Sequence, residues 1–220
     1  MTYLLFVFFE SNLFEFQERF VHINSSMINK KTSCIILSGG TSSRMGVHKA
    51  LLKFSDTENF LQHIVNVYLE AGIKKIIVVK NFDIYVDSKS VSERVTMVNN
   101  YTTSLGRLYS IRLGLSAAPG SEFCFIQNVD NPFVSGGLIR GLYQLRSEAN
   151  SIVPVYNGLG GHPVLLSRKA IDGVLGALGS DQSLRQILAG YSRKELSVDS
   201  GEILRNFNTP SEYNDVFATV

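Results

Sequence analysis

Short apolar runs at 34–37, 75–79, 123–126 and 152–155 alternate with longer stretches of helical period, and this alternation leaves the chain few folds. Each run is rich in β-branched or aromatic residues and bounded by polar ones, the pattern of a buried strand. Between the first two runs, 59–71 carries Phe60, Leu61, Ile64, Val65, Tyr68 and Leu69 at helical spacing and stops at Gly72. A weaker strand candidate at 95–98 precedes a helical stretch at 104–118, and another helix is expected over 138–149. Strands joined through helices require right-handed crossovers, which give a mainly parallel sheet covered on both faces. The fold class is therefore α/β, a three-layer α/β/α domain. Asn157-Gly158 marks a turn after which 163–166 returns as a strand of opposite direction, so the sheet is expected to be mixed. Short helices at 170–178 and 183–189, a strand at 195–198 and a C-terminal helix opened by Thr209-Pro210 complete the order.

Ligands on such sheets bind at the carboxyl ends of the strands. The first strand runs straight into Gly39-Gly40, whose backbone can approach a phosphate or a base edge closely. Arg44 and Lys49 then bring two cations to the same loop, one a planar fork and one a point charge, which suits a substrate with several negative charges. The loop has neither the G-x-x-x-x-G-K-[ST] of a P-loop nor the G-x-G-x-x-G of a dinucleotide fold. At the end of the central strand 123–126, Asp130 precedes Asn131-Pro132 and is expected to project from the same edge, where a carboxylate can hold a hydrated divalent cation. The same residue also suits a turn or a helix cap.

Composition narrows the partners. A net charge of +2 on 220 residues gives no reason to expect nucleic acid or an anionic membrane as partner. Cys34 and Cys124 sit inside strand candidates without metal-ligand spacing, and so read as buried free thiols of a cytoplasmic protein. Residues 1–30 are expected to form an extension to a single domain spanning 31–220. Their apolar run lacks the basic start of a signal peptide, is too short to span a bilayer and is interrupted by Glu10, Glu15, Glu18 and Arg19. Met27 opens a short polar lead into the first strand, so the preceding 26 residues read as an over-extended start or as an amphipathic helix docked on the domain.

G-G-x-x-x-R-M-G-x-x-K at 39–49 resembles the signature loop of the MobA-like nucleotidyltransferases, which include molybdenum cofactor guanylyl- and cytidylyltransferases. The resemblance implies a Rossmann-like fold of the nucleotide-diphospho-sugar transferase type, with Leu37, Ser38, Gly39, Gly40, Arg44, Met45, Gly46 and Lys49 binding the nucleotide. V-D-N-P-F-V at 129–134 is similar to the family's D-x-P segment and implies that Asp130 holds the metal, Mg²⁺ or Mn²⁺. The segment 104–112 is similar to the G-x-x-x-S-[IL]-R stretch beside the nucleotide, adding Gly106 and Ser110. Gly161-His162-Pro163 resembles the G-H-P of the cytidylyltransferase branch and implies that Gly161 and His162, with Asp181, line the acceptor pocket. Asn206-Phe207-Asn208-Thr209-Pro210 resembles the closing [DN]-[IV]-[DN]-T-P, with Asn208 a weak metal ligand where that branch has a carboxylate.

Arg44, Lys49 and Asp130 are accordingly the expected catalytic set for moving a nucleoside monophosphate from GTP or CTP to a phosphorylated small-molecule acceptor, molybdopterin cofactor being the acceptor the resemblance implies. L-S-G-G favours the guanylyl branch and G-H-P the cytidylyl branch, so the base stays open. Sugar- or polyol-phosphate nucleotidyl transfer is an alternative, as is a nucleotide-binding module without turnover. His48, beside Lys49, reads as a solvent-facing loop residue, and Asp181 with Arg185 reads equally as a helix ion pair or an acceptor-binding group.

Overall fold

The structure, a computed structural model, describes residues 28–40, 45–83, 91–177 and 182–217. The expected extension over 1–26, Arg44 and Asp181 with its pairing to Arg185 lie outside the described residues. Strands β1 (Thr32–Ser38), β2 (Lys75–Asn81), β3 (Val95–Asn100) and β4 (Phe123–Asn128) pair in parallel in the order β3-β2-β1-β4. Strand β7 (Val164–Ser167) follows β4 antiparallel and joins it to β5 (Ser151–Tyr156), which carries the two-residue β6 (Leu159–Gly160) on one side and the parallel β8 (Arg193–Ser197) on the other. The mixed, mainly parallel sheet and the reversed strand after Asn157-Gly158 are as expected from the sequence.

Alternate residues of the central strands feed two separate cores. Cys34, Ile36, Ile76, Val78 and Phe125 face one layer, packed under α1 (Phe60–Glu70) and α3 (Gly136–Gln144). Ile35, Leu37, Ile77, Val79, Cys124 and Ile126 face the other, under α2 (Gly106–Ser116) and α4 (Arg168–Gly176). All seven residues of β1 are buried, as a strand covered on both faces must be. Cys34 and Cys124 are both buried and free, and burial raises both thiols, Cys124 to about 12. Ile28 belongs to the first core and the Asn29 amide donates to the Tyr143 hydroxyl at 2.9 Å, so residues 28 and 29, expected to belong to the extension, pack on the domain. Among the described residues no helix is long and apolar enough to cross a membrane.

Three departures from the sequence pattern have local causes. The helix expected to reach 149 ends as α3 at Gln144 and tightens into a 3-10 turn over Leu145–Ser147, a common way to close a last turn. Helix α2 starts only at Gly106, whose φ of +79° is open to glycine, because Thr103–Leu105 is a 3-10 turn. The return from β5 is bulged: Val155 pairs with Gly160 and Ile152 with Leu165, so Val153 and Pro154 face the longer run 161–164. Pro154 has no N–H to give a ladder, and its carbonyl instead accepts the Gly161 amide at 2.8 Å. That bulge sets His162 at the carboxyl edge of the sheet beside β4.

Helix α2 lies close on the sheet because residue 114 has no side chain. A Cβ there would meet Ile35 Cγ2 at 2.5 Å and Val79 Cγ2 at 3.0 Å, both on strands too deeply buried to yield. Gly114→Val is expected to destabilise the protein by about 1–3 kcal/mol, as overpacking does, despite the better intrinsic helix propensity of valine. A denaturant midpoint at or above that of the wild type would contradict this packing account.

Candidate functional site

A cleft of about 400 Å³ opens at the carboxyl edge of β1 and β4, the point where the strand order turns outward in both directions. Gly39 and Gly40 form one wall at the end of β1. The N-terminus of α2 forms another through Gly106, Arg107 and Ser110, and Asn128 to Asp130 form the floor beyond β4. A Cβ on Gly39 would come within 3.4 Å of Ser110 Oγ, which shows how closely α2 leans on the loop. Ser110 Oγ itself accepts from Asn100 Nδ2 at 2.9 Å, tying the end of β3 to the same wall.

At the centre of the cleft the Lys49 ammonium donates to Asp130 Oδ2 at 2.9 Å and to Asn208 Oδ1 at 2.8 Å. Three segments far apart in sequence thus place two oxygens around one positive charge. Asn131 explains how they meet. Fully buried, its Nδ2 lies 3.2, 3.1 and 2.8 Å from the carbonyls of Glu202, Ile203 and Arg205, while the Phe207 amide donates to the Asp130 carbonyl at 3.0 Å. Gln127 Nε2 in turn donates to the Asn131 carbonyl at 2.8 Å. Thr209 and Glu212 then cap α6 (Pro210–Phe217), the helix after the short α5 (Leu184–Leu188): Glu212 Oε2 accepts the Asn208 and Thr209 amides at 2.6 and 2.9 Å, which holds its carboxyl below the ordinary range. Phe207, Tyr213 and Phe217 pack against Phe54, Phe60 and Phe133, so an aromatic cluster fixes the C-terminal segment under the cleft.

Other expected site residues divide by role. Leu37 lines the cleft, and Ser38 is buried at the end of β1. Met45 turns its side chain into the aromatic cluster with Leu52, Phe60 and Phe207, so it anchors the loop from below. Gly46 has φ +68° and is exposed. Gly161 is held by packing, since a Cβ would strike the Ile203 carbonyl oxygen at 2.5 Å. His48 departs from its expected solvent-facing position. It lines the cleft, its Nδ1 accepts the Ala50 amide at 3.3 Å to cap the 3-10 turn Lys49–Leu51, and burial holds its pKa down while the Ser38 and Gly40 backbones oppose. Because that turn carries Lys49, His48 helps to aim the ammonium.

Arg107 is the cleft residue the sequence did not single out. Its Nη2 donates to Asn128 Oδ1 at 2.7 Å and meets His162 Nε2 at 3.3 Å. The arginine of the motif-like segment, Arg112, turns the other way: Nε donates to the Val174 carbonyl at 3.0 Å and Nη2 to that of Ala177, capping the end of α4. Among the described residues no group of three or more His, Cys, Asp or Glu gathers.

Residues 34–196 match the model of the MobA-like NTP transferase domain. The chain belongs to that family. It is a nucleotidyltransferase of the MobA-like type, and its mixed sheet with helices on both faces is that of other nucleotidyltransferases. It is 26% identical over 187 residues, 82% of this chain and 92% of the relative, to the molybdenum cofactor cytidylyltransferase of Escherichia coli K12. To the probable molybdenum cofactor guanylyltransferase of Bacillus mycoides KBAB4 it is 32% identical over 134 residues, 58% of this chain and 64% of the relative. Its fold is similar to that of Rv0371c from Mycobacterium tuberculosis H37Rv, with a TM-score of 0.69 at 22% identity over 86% of this chain and 99% of that one. A manganese complex of Rv0371C superposes with a TM-score of 0.66, at 20% identity over 86% and 99% of the two chains.

Burial and the Arg107 guanidinium hold the His162 pKa down to about 4, against the opposing pull of Asp130. In the unfolded chain the imidazole regains its ordinary value near 6.5, so the unfolded state binds the extra proton first. His162 therefore subtracts stability as pH falls from about 6.5 to about 4. The thermal midpoint of the wild type should drop more steeply over that window than that of His162→Gln, and equal slopes would contradict the assignment.

Proposed function

We propose that this chain transfers a nucleoside monophosphate from GTP or CTP to a phosphorylated small-molecule acceptor, with release of pyrophosphate and with Mg²⁺ or Mn²⁺ as cofactor. The observation that carries the reading is the convergence of Lys49, Asp130 and Asn208 in the glycine-loop cleft, on a member of the MobA-like family. Molybdopterin cofactor is the proposed acceptor, since the cytidylyl- and guanylyltransferase relatives are both named for it. A cytoplasmic location belongs to the same proposal and is supported by two buried free thiols.

In nucleotidyl transfer an acceptor phosphate oxygen bonds to the α-phosphorus while the bond to the β-phosphate bridging oxygen breaks. The protein's share is positioning and charge. Gly39 and Gly40 let the backbone approach the nucleotide, and Arg44 and Lys49 neutralise its phosphates. Asp130 and Asn208 fit a hard divalent cation: they offer two oxygens already converging on a positive charge, the Lys49 ammonium, and Mg²⁺ characteristically takes one or two protein oxygens plus substrate phosphates. Bound there, the cation would supply charge neutralisation on the triphosphate and the leaving pyrophosphate. The manganese complex of Rv0371C supports a divalent metal in this fold. Asn208, a neutral ligand, leaves most of the metal affinity to Asp130.

Asp130→Asn is expected to lower pyrophosphate release by on the order of a thousandfold or more, because the lost charge acts mainly on the transition state. Lys49→Ala should instead weaken nucleotide binding by roughly tenfold, as removal of a charge-assisted contact does. Both are read from pyrophosphate release and nucleotide titration with GTP and CTP, in the presence of Mg²⁺ and of chelator. Near-normal turnover by Asp130→Asn would overturn the metal assignment.

A further inference from the structure

Two polyanions must meet in this cleft, and the cation already described serves one of them. Lys49 is engaged by Asp130, on the side of the glycine loop. The acceptor phosphate needs a positive partner of its own, because it approaches both the triphosphate and the Asp130 carboxylate. Over the junction of β4 and β7 stands Arg107, exposed to the cleft. Among the described residues its hydrogen-bond partners are both neutral, Asn128 Oδ1 and His162 Nε2, and both are met by Nη2. Among the described residues Nη1 and Nε are left to donate to a ligand, and no carboxylate hydrogen-bonds to the guanidinium, the nearest acidic influence being the field of Asp130.

A guanidinium can only donate, so His162 Nε2 must accept and its proton must sit on Nδ1. Nδ1 is buried and faces the backbone of Ile126, which favours a proton there. An imidazole whose outward nitrogen is engaged by arginine is poorly placed to remove a proton from a substrate. Its geometry is that of a prop. The bulge opposite Pro154 delivers His162 to this position, and Asn128, the last residue of β4, supplies the second prop.

We propose that Arg107 binds the phosphate of the acceptor, and that His162 and Asn128 are positioning residues that hold its guanidinium over the end of β4. The proposal rests on the nucleotidyl-transfer reading. In the step it serves, a dianionic acceptor phosphate forms a P–O bond to the α-phosphorus, the α–β bridging P–O bond breaks, and its electron pair leaves with pyrophosphate, with no proton transferred. Arg107 offsets the repulsion between the dianion and the triphosphate, and it does so from the side of the cleft away from the glycine loop. The low pKa of His162 agrees with the arrangement, since a neutral ring can accept from arginine and an imidazolium cannot.

The test is calorimetric titration of the full chain with inorganic phosphate, in the absence and presence of a saturating non-hydrolysable GTP or CTP analogue with Mg²⁺. Arg107→Gln should weaken phosphate binding by on the order of tenfold while changing analogue affinity by less than about threefold, with Arg107→Lys between. His162→Gln, which keeps an acceptor near the Nε2 position, should stay close to the wild type, whereas His162→Leu should resemble Arg107→Gln. Absence of phosphate binding by the wild type, or loss of analogue binding with phosphate binding intact in Arg107→Gln, would overturn the proposal. So would equal losses in His162→Gln and His162→Leu. If the analogue fails to bind the wild type, the nucleotidyl reading fails instead, and the phosphate titration without analogue still decides the role of Arg107.

Discussion

One ammonium group organises the carboxyl edge of this sheet. Lys49 touches Asp130 and Asn208 at once, and these three residues come from the loop after β1, the turn after β4 and the segment before α6. Bringing two oxygens this close in a partly enclosed cleft is costly without a cation between them. The Lys49 ammonium is that cation. Everything around the contact keeps it in register: Asn131 fastens the 202–205 turn, the aromatic cluster holds Phe207, and His48 caps the turn that carries Lys49.

Much of this was legible in the sequence because strands and their carboxyl ends are encoded locally. Apolar runs bounded by polar residues located β1, β2, β4 and β5, and the turn after β5 announced the reversal that makes β7 antiparallel. With the topology in hand, Gly39, Lys49 and Asp130 had to share an edge. Asn208 came through resemblance to a closing motif, and the structure shows why such a motif is a unit: Thr209 and Glu212 cap the helix that fixes Asn208.

What escaped depends on tertiary placement. Arg107 and Arg112 sit five residues apart on the same helix, and nothing local tells which faces the cleft; the motif pointed to the stretch, while packing against α4 turned Arg112 away. His48 reads as a loop residue because its contacts, to the backbone of Ser38 and Gly40, are made only once the loop has closed. The bulge at 161–164 is set by a proline in the neighbouring strand, an effect visible only once the two strands are paired. Asn131 reads as filler within D-N-P until the carbonyls it gathers, more than seventy residues away, are seen.

The central claim is that Lys49 stands where a metal-bound triphosphate is to be received, and it is tested most directly by a crystal structure with Mn²⁺ and a non-hydrolysable GTP or CTP analogue, located by manganese anomalous scattering. The account predicts an anomalous peak within coordination distance of Asp130 and Asn208, with the Lys49 ammonium moved onto the phosphates. A peak elsewhere, with Lys49 still bridging Asp130 and Asn208 beside a bound nucleotide, would contradict it.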